Sequence, residues 1–125
     1  MKLELNIHDA SIGSDRKINK SDCAVRAIAE CTGLSYDKVY DFLWMNQHKR
    51  PCRGTSMYAI TKCMDALGWK KHDVFKTFNS KHVPKGVVLC IITRHAVCVK
   101  DHVVYDTYDS VRSGRRQLKY VFTKS

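Results

Sequence analysis

The sequence predicts an α+β domain in which N-terminal helices pack on a C-terminal antiparallel β-sheet. Two patterns carry that prediction. Between Asp22 and Gly68, three stretches repeat apolar residues at helical spacing, each opened by a polar residue and closed by Gly or a polar run. After Gly68 the chain changes to short apolar or alternating runs separated by turn signals. Helices followed by strands in this order pack as an α+β layer pair. The chain has 125 residues, is 44 % hydrophobic and has only two prolines, enough to bury one core. No repeat or internal boundary is visible, so residues 1–125 read as a single domain.

The elements follow in order. The first twenty residues mix short apolar and polar stretches, and "ASIGSDRKINKSD" reads as a surface loop. In "DCAVRAIAECTG", Ala24, Ile28 and Cys31 recur at helical spacing with Val25 and Ala27 beside them; Ser21 or Asp22 is the expected cap and Gly33 the stop. A second helix starts with Ser35 as its cap, carries Val39, Phe42, Leu43 and Met45 on one broad face, and ends at "NQHKRP". The third starts near Thr55 or Ser56, runs through Tyr58, Ile60, Cys63, Met64 and Leu67, and stops at Gly68. Beyond it, "WKKHDVFKTF" reads as an exposed strand, "VPKG" as a turn and "VVLCIIT" as a buried strand. "HAVCVKDHVVYDTYD" reads as a hairpin and "LKYVFT" as a last strand.

Composition narrows the classes of function. The longest apolar run, "GVVLCII", is too short to cross a bilayer, and "MKLELNIHDA" has no signal-peptide core, so the expected location is the cytoplasm, without membrane contact. In that reducing setting the six cysteines read as thiols. Cys52, Cys63, His72 and His82 lie in one stretch without the close pairing of a zinc site, so neither a metal nor another cofactor is expected. A net charge of +10, with cations concentrated in "SVRSGRRQLK", suits an acidic partner or nucleic acid, and equally a solvated basic face.

Cys23 is the residue that packing explains least. In the first turn of a helix, unpaired backbone N–H groups and the helix dipole favour a thiolate, the reactive form of a cysteine nucleophile. Such a nucleophile needs a basic partner, and the candidate is His95 in "TRHAVCVKD". With Asp101 and His102 as a two-residue turn, Lys100 pairs with Val103, and His95, Val97, Val99, Val104, Asp106 and Tyr108 share one face. Asp106 then lies diagonally beside His95, where a carboxylate fixes the imidazole tautomer. A three-residue turn selects Asp109 instead, and His102 is a poor residue for a turn position needing positive φ.

Three segments, "DCAVRAIAECTGLSYDKVYDFL", "RGTSMYAITKCMDALGW" and "RHAVCVKDHVVYDTYDS", resemble small phage and bacterial proteins similar to C39-like members of the papain-like cysteine peptidases. The resemblance spans roughly Asp22 to Arg116. It implies a papain-like fold with Cys23 as nucleophile, His95 as general base and acid, and Asp106 as orienting residue, in the order the sequence shows. It also implies an oxyanion hole built partly from the backbone N–H of Cys23. Enzymes of this kind carry a Gln upstream of the nucleophile as second donor; here the stretch reads "RKINKSDC", with Lys17 at that place and Asn19 as the substitute. One missing oxyanion donor costs about a hundredfold to a thousandfold in turnover. Similar proteins also favour Gly after the hairpin-turn aspartate, where this chain has His102, which predicts a strained or longer turn.

The expected function is therefore a small cysteine hydrolase, a peptidase or isopeptidase acting on a protein or peptide substrate, and the phage-like resemblance implies a factor working inside a bacterial host. Arg112, Arg115 and Arg116 follow the hairpin and are candidates for binding an acidic substrate segment. "CRGTSM" before the third helix is either an anion site or a helix cap. The alternative is a papain-like scaffold of low catalytic power that binds nucleic acid or an acidic host protein. An acyltransferase would use the same Cys and His with a different acceptor.

Overall fold

Each of the three helices begins and ends where local chemistry dictates. The computed structural model describes residues 3–7, 22–47, 51, 55–106 and 116–124. Helix α1 spans Cys23–Thr32 and ends at Gly33, whose φ of 77° is the left-handed conformation that a residue without Cβ adopts freely. The Gly33 N–H donates to Ala29 O at 2.9 Å, closing the last turn. Helix α2, Tyr36–Met45, is capped by Ser35, whose hydroxyl accepts from the Lys38 N–H. Helix α3, Met57–Ala66, is capped in the same way by Ser56 accepting from Ala59 N–H.

Two positions on the predicted apolar faces turn outward. Met45 is 84 % exposed at the last turn of α2, and Tyr58 is 63 % exposed in the first turn of α3. The buried face of α2 is formed by Tyr36, Val39, Tyr40 and Leu43, so the two tyrosines take the area that the spacing assigned to Met45.

Six strands form one sheet: β1 (Glu4–Ile7), β2 (Trp69–Thr77), β3 (Val87–Ile92), β4 (His95–Lys100), β5 (Val103–Asp106) and β6 (Gln117–Lys124). Their spatial order is β1-β5-β4-β3-β6-β2. The sheet is mixed, and this corrects the expectation of an antiparallel one: β1 pairs in parallel with β5, from Glu4 opposite Val103 to Ile7 opposite Asp106. Four residues give too short a period-2 signal to read as a strand, and a parallel partner so distant in sequence leaves no turn signature. All other pairs are antiparallel.

The helices cover one face of this sheet. Helix α1 lies on β4 and β3, α3 meets β2, and α2 bridges the two helices. Val25, Ile28, Leu43 and Met64 interdigitate there with Leu89, Ile91 and Phe122 of the strands. On the opposite face Val88, Cys90, Val97, Val99 and Val104 form a second core, closed by Phe78 and Val83 from the β2–β3 connection and by Leu3. Burial on both faces explains why β3 reads as a continuous apolar run. Edge strand β2, as predicted, is largely exposed, with Trp69 its buried residue and a bulge between Asp73 and Lys76. Among the described residues no helix is long and apolar enough to cross a membrane.

The β4–β5 turn sets the register that the site depends on. It has two residues, Asp101 (φ 48°) and His102 (φ 66°), and Lys100 pairs with Val103. Two positive φ values are what a type I′ hairpin turn requires. Of the strained or longer turn expected, the strained form is found, with two non-glycine residues at positive φ, and it is held from outside: His102 Nε2 bonds Val83 O at 2.8 Å, and Asp101 exchanges bonds with Gly86 through its own N–H and its carboxylate.

Candidate active site

Cys23 is the first residue of α1, and the residue before it does something unusual for a helix start. Asp22 occupies the N-cap position, yet its side chain makes no capping bond. The carboxylate is instead buried, at 3 % exposure, with Oδ1 accepting from Arg26 Nε at 2.9 Å and Oδ2 from the Tyr36 hydroxyl at 2.8 Å. Capping by Ser21 or Asp22 was the expectation; the Asp22 carboxylate goes instead to a cation and a phenol, two charge-assisted bonds that satisfy both of its oxygens. Ser21, the other candidate cap, lies outside the described residues.

His95 opens β4 and Asp106 closes β5. The β4–β5 register runs from Lys100 opposite Val103 to Cys98 opposite Tyr105, and continuing it places Asp106 opposite Val97, diagonal to His95. Both residues are 9 % exposed, and His95 Nε2 lies 2.5 Å from Asp106 Oδ2. With Nε2 engaged by the carboxylate, Nδ1 is the nitrogen left for the thiol. Alternation puts His95 and Asp106 on the side of Val97, Val99 and Val104, whereas Cys23 packs against the helix-side core. The three therefore meet around the end of the sheet, where α1 and β4 both begin.

The electrostatics of the group are mutually consistent. Burial alone would push the Cys23 thiol up; the hydrogen bond and charge of His95, with the Ala96 backbone N–H, outweigh it, so the thiol lies below its ordinary value. Burial likewise opposes protonation of His95, but the Asp106 bond, followed by the Cys23 bond, raises its pKa to about 9. Each shift favours the charged form of its group, and together they favour a thiolate–imidazolium pair. Three other thiols, Cys31, Cys63 and Cys90, are shifted the opposite way. Burial pushes Cys63 up to about 11 and raises Cys90, and Cys31 is raised by burial and by its bond to Cys98. Among the described residues, Cys23, Cys31, Cys63, Cys90 and Cys98 are unbridged.

The remaining candidates separate. Asn19, Lys17, Asp109, Arg112, Arg115 and Cys52 lie outside the described residues, so the second oxyanion donor and the loop part of "CRGTSM" do too. Arg116 is described: its Nη2 donates to Thr93 O at 2.7 Å, bracing the turn that leads into His95. His72 bonds Thr123 Oγ1 and His82 bonds Thr77 O, each serving local structure. Among the described residues there is no cluster of three or more His, Cys, Asp or Glu side chains able to hold a metal.

Sequence reading missed the Asp22–Tyr36 contact and the Ala96 N–H to the thiol. Arg26, four residues after Asp22 on one helix, was a visible signal for the first; the second is a backbone group and leaves no mark in the sequence. Chemically, the trio can supply a nucleophilic sulfur, a proton donor for a leaving group and a carboxylate to orient that donor. No family model, curated protein or solved structure matches this chain.

Proposed function

We propose that this protein is a small cysteine hydrolase of papain-like type, a peptidase or isopeptidase acting on a protein or peptide, and that it works as a phage-type factor inside a bacterium. The observation that supports it is the convergence of Cys23, His95 and Asp106 at one end of the sheet, with His95 bonded to both of the others. The Cys23 sulfur attacks the acyl carbon, forming a C–S bond as the carbonyl becomes an oxyanion. His95 gives its proton to the departing amine as the C–N bond breaks. Water, deprotonated by the now neutral His95, attacks the thioester; the C–S bond breaks, releasing the acid and returning the proton to the His95–Cys23 pair. Asp106 holds the imidazole in the orientation both half-reactions need.

The test is cleavage of unfolded protein substrates followed by mass spectrometry of the products, for the parent and for Cys23→Ala. New peptides from the parent alone support the reading. Identical products from both sink it, and so does a complete lack of cleavage together with ordinary reactivity of Cys23 toward iodoacetamide.

A second reading, a scaffold binding nucleic acid or an acidic protein, draws on the net charge of +10 and on β2, where Lys70, Lys71 and Lys76 are exposed. Phosphate contacts make binding fall steeply with salt, whereas thiol hydrolysis depends on it weakly. Binding of an oligonucleotide that survives Cys23→Ala and vanishes at high salt distinguishes this reading.

A further inference from the structure

The helix that presents Cys23 has a backbone start of its own design. An aspartate at the N-cap ordinarily lays its carboxylate across the first-turn amides, and the helix dipole favours it there. At Asp22 that arrangement would set a negative charge beside the Cys23 sulfur and occupy first-turn N–H groups, among which the hydrolase reading needs that of Cys23 for the oxyanion. Asp22 instead turns to Arg26 and Tyr36. Its own carbonyl still accepts from the Arg26 N–H at 3.2 Å, so the helix begins at Cys23 while the side chain leaves the helix end. Arg26 also lies over the Tyr36 ring, 6.0 Å from its centroid, and Tyr36 in turn stacks at an angle against Tyr40. The holder is thus built from two helices and is itself packed: Tyr36 is 3 % exposed.

We propose that Asp22 is a positioning residue for Cys23, and that Tyr36 and Arg26 serve to hold its carboxylate off the first-turn amides of α1, keeping them for the thiolate and the oxyanion. The proposal rests on the cysteine-hydrolase reading above. Two further features agree with it. Burial, then the bond to Asp22, raises the Tyr36 hydroxyl well above its ordinary range, so it stays a donor at any working pH. The charged groups bearing on Cys23 are His95 and Asp106, both from the strands, which leaves Asp22 as the carboxylate on its own helix nearest in sequence.

The experiment is the pH dependence of iodoacetamide alkylation of Cys23, resolved by mass spectrometry, for the parent, Tyr36→Phe, Arg26→Gln, the double variant Tyr36→Phe/Asp22→Asn, and His95→Ala. Folding of each is followed by far-ultraviolet circular dichroism. Removing one holder leaves the carboxylate tethered by the other through a single oxygen and able to turn its free oxygen onto the amides, and the Cys23 midpoint rises by roughly half a unit to one and a half units. Neutralising it in the double variant returns the midpoint toward the parent value, a rescue that simple loss of packing does not produce. Arg26, less buried than Tyr36, provides the variant that folds if Tyr36→Phe does not.

A lowered melting temperature with an unchanged midpoint in both single variants overturns the positioning role. A raised midpoint that the double variant does not restore overturns it as well. If His95→Ala shifts the midpoint and the holder variants do not, the hydrolase reading stands and this proposal alone fails. If the parent Cys23 titrates like an ordinary thiol and ignores His95→Ala, both fall.

Discussion

His95→Ala is the substitution that most directly probes the ion pair. The Cys23 thiol is subject to opposed influences: burial raises its pKa, while the His95 hydrogen bond, the His95 charge and the Ala96 N–H lower it. Removing the imidazole deletes the two larger favourable ones and leaves burial and the Asp106 charge, which both raise the pKa, opposed by the Ala96 N–H alone. A hydrogen bond to a charged group is worth about 1.5–3 kcal/mol, or roughly one to two pKa units. The Cys23 midpoint should therefore move from below the ordinary thiol value to above it. The assay is alkylation by iodoacetamide between pH 5 and 10, with Cys63 as internal reference because burial holds it up at about 11 by a cause unrelated to His95. Since a more basic thiolate is intrinsically more nucleophilic, the midpoint, rather than the rate at one pH, is the quantity to compare. A midpoint that stays within a few tenths of the parent value would refute the reasoning, because His95 would then contribute nothing to the ionisation of Cys23.

Asp106→Ala should reduce turnover less than Cys23→Ala or His95→Ala, since the imidazole keeps its place at the strand end and loses only its orienting bond; steady-state kinetics on any cleaved peptide ranks the three. The pH dependence of stability has a sign set by the same pair. His95, raised from 6.5 to about 9, contributes stability that is fully present below pH 6.5 and lost as pH rises through about 9, about 3 kcal/mol at most. Cys23, lowered, contributes stability present above its unfolded value and lost as pH falls through its folded one, so the two slopes oppose where their windows overlap. Urea melts in a Cys23→Ala background, with and without His95→Ala, should show the advantage of His95 shrinking as pH rises from 6.5 toward about 9; an advantage that grows across that window contradicts the raised pKa. Ile28→Ala, at a side chain with no exposure between α1 and the sheet, should cost about 2–5 kcal/mol in urea unfolding.

The sequence alone determined the local elements and much of the site. Gly33, Ser35, Ser56 and Gly68 mark helix ends because capping and positive φ are chemistry of one or a few adjacent residues. The pairing of Lys100 with Val103 was one of two readings in the sequence, the other being a three-residue turn that selects Asp109; the structure has the two-residue turn, which brings Asp106 diagonal to His95. What the tertiary structure decided depends on groups distant along the chain. Strand β1 joins the sheet through a parallel partner that no local turn announces. Tyr36 reaches Asp22 through the packing of α2 on α1, and its hydroxyl together with Arg26 takes up a carboxylate that was a candidate helix cap. The direction of the Cys23 and His95 shifts likewise follows from the meeting of α1 with β4 at the end of the sheet. Burial and charge act there in competition, and their balance is a property of the packed site rather than of either segment.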